Sequence, residues 1–407
     1  MEPRTHERQG QGLHGLVGKR TQAPMSRAPM STNWSYRVPL RLLFAIPVIG
    51  AVLVAIAGGL FRAGVQWVGT PPPSWLGAAV SHHAFLMIGV FMGTVIGIER
   101  AVAVRHVAAY TAPVGSGMAG MSLLGGHLEA ALWLAAAGSV AFVLVNIVVV
   151  IRQRAPHTAL LLVAALAWAA ASLLHLAGWH TGAVIPLWFC LLVLTIAAER
   201  LEMTRLMRRR KGAAALLYSL VATLMASAVA TGFWPIAGGI AYGAALAGLA
   251  VWLLVGDIAR RTVRAQGLSR YMALCLLSGY LWLLLAGLAW SAMSAGWIAF
   301  RDTALHALAL GFVFSMMLGH APVILPAIAR VKVLFSWVFY VPLALLHLSL
   351  AWRLFAGQFH AQALATGAIG NALALALFAA TMVGGALAWR IRFSSPTASS
   401  RHGPPSH

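Results

Sequence analysis

LGAAVSHHAFLMIGVFMGTVIGIERAVAVRH, residues 76–106, is an apolar run with two adjacent histidines near its start and a Glu-Arg pair near its end. A helix crossing a hydrocarbon layer about 30 Å thick needs roughly 20 mostly apolar residues. This run meets that requirement, and its neighbours repeat it. Apolar runs recur at 38–61, 75–98, 107–126, 128–151, 157–178, 183–204, 213–232, 234–256, 270–293, 302–327, 334–356 and 361–390. The chain therefore reads as an all-α polytopic membrane helix bundle of about twelve spans.

Composition agrees. Of 407 residues, 60% are hydrophobic and 9% charged, and the mean hydropathy is +0.83, values outside the range of soluble domains. The weakest span is 107–126, where Pro113 and five glycines make a poor soluble helix but a permissible membrane one.

Lys and Arg concentrate on the cytoplasmic side of short loops, which tests the count. With the N-terminus inside, the cytoplasmic segments hold 26 of the 29 Lys and Arg: 7 up to Arg41, then 2, 2, 6, 4 and 2, and 3 at the C-terminus. Only Arg62, Arg301 and Arg353 fall on the other side. Both termini are thus expected in the cytoplasm. The formal charge of +21 is explained by this topology and by attraction to anionic lipids on the cytoplasmic face, and calls for no nucleic acid. The block RLMRRRK, Arg205 to Lys211, is a candidate for headgroup binding.

Residues 1–36 and 393–407 read as polar, disordered tails around a twelve-helix domain at 37–392, and Met25 or Met30 is an equally acceptable start. Cys190 and Cys275 fall in different spans, so no disulfide framework or CxxC site exists. No GxxxxGK[ST] loop appears, which argues against an ATP-driven pump acting alone. The eight carboxylates lie in the N-terminal tail or at span ends: Glu99, Glu199, Glu202 and Asp257 inside, Glu129 and Asp302 outside. That placement weakens a carboxylate-coupled transport mechanism.

Histidine is distributed unevenly. His82, His83, His127, His175, His180, His306, His347 and His360 fall in the outer half or outer loops, and His320 in the inner half. At about 1.5 Å per residue, His83, His306 and His347 lie roughly 12, 6 and 15 Å below the outer ends of spans 2, 10 and 11. Intramembrane ionisable residues are costly and are functional candidates by default. Imidazole is also the commonest metal ligand and a haem axial ligand. The bland alternative is that each histidine only bonds a neighbouring helix.

At 100° per residue His82 falls on the small-residue ridge Gly89, Gly93 and Gly97, whereas His83 points along Met87, Val90 and Thr94. His83 is therefore expected to face a cavity, with Met87 and small residues beside it. His306 and His320 share a face but lie about 21 Å apart along the axis, too far to bind one metal. Pro322 and Pro326 beyond them predict a kink.

The motif HHAFLMIGVFMGTVIGIERAVAV of span 2, LHALALGFVFSMMLGHAPVILPA of span 10 and LHLSLAWRL of span 11 resemble the NnrS-like bacterial membrane proteins, a twelve-helix group associated with haem, copper and nitric oxide. That family's Trp-His-x-His-Glu-type opening is replaced here by Ser81-His82-His83-Ala84. The resemblance implies haem or copper binding. Histidines on spans 2 and 10 also resemble the haem ligands of the haem-copper oxidases. IGIER at Ile96–Arg100 is echoed four spans later by TIAAER at Thr195–Arg200, a hint of a repeat.

Two readings follow. In the first, His83 and His306, then His347, bind a haem or copper, with His82, His175 and His320 as further metal ligands, and the protein serves redox, sensing or nitric oxide chemistry with a redox partner the sequence does not name. In the second, the same histidines shuttle protons or carry a metal in a small-solute transporter.

Overall fold

The structure, a computed structural model, describes residues 37–66, 73–204, 211–329 and 331–394. The tail expected at 1–36 and most of the basic block at 205–211 lie outside these residues. The tail expected from 393 is helical through Ser394. The chain divides after Arg41: residues 37–41 open the first helix, and Leu42 onward forms the helical unit described below.

Fifteen α-helices run in the order α1 (Arg37–Arg62), α2 (Ser74–Ser81), α3 (Gly93–Val104), α4 (Thr111–Leu124), α5 (Leu128–Arg152), α6 (Pro156–Leu176), α7 (Thr181–Met203), α8 (Ala213–Ala230), α9 (Pro235–Gly256), α10 (Ala259–Thr262), α11 (Gly267–Ser294), α12 (Arg301–His306), α13 (Ser315–Ala329), α14 (Tyr340–Ala351) and α15 (Ala361–Ser394). Three π-helical segments interrupt or extend them. Phe85–Met92 leads into α3, Ala307–Phe314 joins α12 to α13, and Trp352–Ala356 continues α14. No strand occurs among the described residues, as expected where lipid offers the backbone no hydrogen-bond partner.

Among the described residues ten of these helical rods are long and apolar enough to cross a membrane. The protein is an all-α, multi-pass helix bundle. The two other expected spans are α1, a helix of 26 residues, and α4, the weak one. With the 3₁₀ turn Val107–Tyr110 ahead of it, α4 reaches about 29 Å at 1.5 Å per α and 2.0 Å per 3₁₀ residue. It runs back across the bundle. Arg152, ending α5, donates to the Val104 carbonyl that ends α3, at 3.3 Å, so α4 returns the chain between two helices that finish on the same side. Its glycines explain how so short a helix holds its place. A Cβ added to Gly115 would lie 2.8 Å from Gly138 Cα on α5, so the two backbones pack directly against each other.

Burial singles out three rods. The apolar window of α7 is 89% buried, that of Phe85–Val104 67% and that of Ile298–Pro326 61%, while no other span exceeds 50%. Spans 2, 6 and 10, four apart in the chain, are therefore central, and the rest surround them. Span 2 meets its neighbours through glycines: Gly93 lies under the Trp168 ring, and a Cβ on Gly97 would touch Pro113 at 3.1 Å.

Candidate functional site

At the end of the bundle where α1 stops and α2, α7 and α12 begin, two contiguous cavities open between the central rods and α15. The deeper, with about 120 Å³ of open space, has an apolar wall that includes Met87, Ile88, Phe189, Leu310 and Phe314, together with His83, His306 and Arg353. The outer, with about 500 Å³, shares those three and adds Arg62, Arg301, Asp302, Thr181 and Gln358. An oily floor thus lies under a polar, cationic mouth, the usual make-up of a ligand site.

The backbone presents these side chains through irregular structure. His306 immediately precedes one π-helical segment, His83 lies two residues before another, and Arg353 sits inside the third. π-Helical turns are rare and concentrate at functional sites. Glycine makes room for His83: a Cβ on Gly59 would stand 2.7 Å from His83 Cε1.

Both histidines are oriented by a bond to one ring nitrogen. His83 Nδ1 lies 2.9 Å from the Ala55 carbonyl oxygen. A carbonyl only accepts, so Nδ1 carries the proton and Nε2 keeps its lone pair. His306 Nδ1 is 2.8 Å from Asp302 Oδ1 on the preceding helical turn. Arg353 clamps the same carboxylate with Nε and Nη2, each at 2.9 Å, a bidentate geometry. Arg353 Nη2 is also 3.2 Å from both His306 ring nitrogens. In the ring plane such a position would collide with Cε1, so the guanidinium lies over the ring face and leaves the Nε2 lone pair in the plane. The two imidazoles are near enough for their charges to interact.

The other expected ligands go elsewhere. His347 turns to α11, where Trp282 Nε1 donates to its Nδ1 at 2.8 Å and Nε2 meets Ser278 Oγ at 3.0 Å. With both nitrogens engaged and no place in either cavity, it is a packing residue in this structure, against the expectation that it joins His83 and His306. His175 packs edge-on against Trp188, with ring centroids 5.3 Å apart, and His82 lies within electrostatic range of it. Among the described residues no three His, Cys, Asp or Glu side chains converge on a metal-ion position. Cys190 and Cys275 are buried and free.

His320 belongs to a second polar cluster at the opposite end of the same central rods. Its Nδ1 lies 2.7 Å from the Met316 carbonyl and its Nε2 3.4 Å from Arg200 Nη1. Arg200 Nε pairs with Asp257 Oδ2 at 2.8 Å, and Tyr280 donates to the same oxygen at 2.8 Å. Glu99 and Glu199, the acids of the repeated Glu-Arg motif, stand within electrostatic range of one another. The echo seen in the sequence thus corresponds to two equivalent positions at one end of spans 2 and 6.

Four cavity residues had no assigned role in the sequence: Arg62, Arg301, Arg353 and Asp302. The signal was there for the arginines. They are the three basic residues that break the charge segregation, and all three line one cavity.

Residues 41–387 match the family described as domain of unknown function (DUF8744), and the chain belongs to that family. No curated protein and no solved structure shows significant similarity to it.

Proposed function

We propose that the protein is a haem-binding membrane protein whose deeper cavity holds the haem between His83 and His306. The observation that carries this reading is that the histidines of spans 2 and 10 line one apolar cavity, each with Nδ1 tied to an oxygen acceptor. Metal-bound histidines regularly donate their second ring N–H to a carbonyl or carboxylate in this way, which fixes the tautomer and raises ligand basicity.

The donor set fits the group. Two neutral imidazoles suit iron, and the apolar wall formed by Met87, Leu310 and Phe314 suits a macrocycle. Two imidazoles with no third such side chain converging on them among the described residues match the ligand number of a haem. Haem held there by His83 and His306 would supply a redox-active iron. The residues of the chain do the positioning: the Ala55 carbonyl and Asp302 hold the imidazoles, Arg353 braces His306, and the apolar floor excludes water. We place the chain in a bacterial cytoplasmic membrane with both ends inside and the haem cavity facing outward.

A second reading, a proton-coupled carrier, is favoured by one observation. The cluster of Glu99, Glu199 and His320 lies at the inner ends of the same central rods, where such a carrier would take up protons.

Purified protein from cells supplied with a haem precursor should show a Soret band and a sharp reduced α-band. His83→Ala or His306→Ala should change the spin state or empty the site, and His347→Ala should leave the spectrum unchanged. Protein without haem, or either cavity mutant with an unaltered spectrum, would sink this reading in favour of the carrier.

A further inference from the structure

A mouth lined by three arginines is unusual on the outer side of this chain. Arg62, Arg301 and Arg353 all line it, and Asp302 is the one carboxylate among its lining residues. Arg353 is committed to Asp302 through two bonds of 2.9 Å. Arg62 donates from Nη1 to a backbone oxygen, Val80 O, at 3.1 Å. Among the described residues no carboxylate pairs with Arg62 or Arg301. Three guanidinium groups against one carboxylate leave two positive charges over an apolar floor.

We propose that this mouth selects ligands with an apolar body and two carboxylates, Arg62 and Arg301 receiving the carboxylates while the body fills the cavity beneath. The inference deepens the haem reading, since a porphyrin dicarboxylate has this chemistry, but its charge argument holds for any amphipathic carboxylate. Guanidinium matches a carboxylate with two parallel donors. Placing the arginines at the rim leaves them solvated without ligand and brings them against low-dielectric walls when one is bound, where their attraction strengthens.

The test uses the full-length protein in phosphatidylcholine nanodiscs and metal-free protoporphyrin IX as a fluorescent probe, so that iron ligation plays no part. Arg62→Gln and Arg301→Gln should each weaken binding roughly three- to tenfold at unchanged melting temperature, with Arg301→Lys intermediate, and added salt should weaken binding to the wild type. Protoporphyrin dimethyl ester should bind more weakly and be indifferent to the arginine substitutions. Equal binding of acid and ester, or no effect of either Gln variant, would overturn the proposal. So would displacement of the probe by phosphatidylglycerol, which would assign the mouth to lipid phosphate. If protoporphyrin fails to bind while hexadecanedioate binds in an arginine-dependent way and more tightly than palmitate, the dicarboxylate mouth stands and the haem reading falls.

Discussion

At the residue scale, the site depends on how little room His83 has. A methyl at position 59 would lie 2.7 Å from His83 Cε1 and 3.3 Å from each ring nitrogen, so the ring must rotate away from the Ala55 carbonyl. Overpacking of this kind costs about 1–3 kcal/mol. Gly59→Ala should therefore lower haem or porphyrin affinity markedly, whereas Gly50→Ala on the same helix, with nothing within 4 Å, should not. Affinities measured side by side decide, and equal effects would show that His83 is not held as described. His83 itself was legible in the sequence as an imidazole inside an apolar run. Gly59 was not, because a glycine's use lies in what approaches it from another helix. Arg353 and Asp302 were seen only as isolated charges, since their pairing joins residues 51 apart in the chain.

At the element scale, hydropathy located the rods, and the projection of 100° per residue that turned His83 toward a cavity with Met87 beside it agrees with the lining of the deeper cavity. For His347 depth was read from the sequence, but face was not, and Trp282 and Ser278 hold the ring. Elements are also tied where the sequence showed only charges at helix ends. Arg200 at the end of α7, Asp257 at the end of α9 and Tyr280 on α11 form one buried network, with the Ala259 N–H donating to Asp257 at 2.7 Å. Asp257→Asn leaves Arg200 buried without its counter-charge, and removing one partner of a buried pair costs about 3–5 kcal/mol. Its melting temperature in detergent should fall well below that of wild type, with Glu129→Gln, at the other end of the bundle, as the silent control. An unchanged Asp257→Asn melt would mean that this network does not bind the three helices together.

At the scale of the whole molecule, the charge segregation and the contacts between helix ends give the same alternation of direction. The three exceptional arginines meet His83 and His306 at one end, while Glu99, Glu199, Arg200, Asp257 and His320 meet at the other. Had α4 failed to cross, every later rod would be inverted and His83 would lie at the opposite end from His306. Instead both line one cavity, so the weak span is required by the site itself. The turns after α6 and after the Trp352–Ala356 segment should then share the side of the cavity mouth. Gly178 has φ of +85 and nothing within 4 Å of an added Cβ, so a side chain there meets strain but no collision. A cysteine is better placed next to it at exposed Ala177, and at exposed Phe359 for the other turn. Ala177→Cys and Phe359→Cys should both react with an impermeant thiol reagent in intact cells, whereas Val107→Cys, exposed in the turn between α3 and α4, should react only after permeabilisation. The native thiols are buried and give little background. Labelling of position 107 in intact cells, with 177 and 359 protected, would turn the molecule over and make the arginine mouth cytoplasmic. The cavity would survive that result, and its assignment to an external ligand would not.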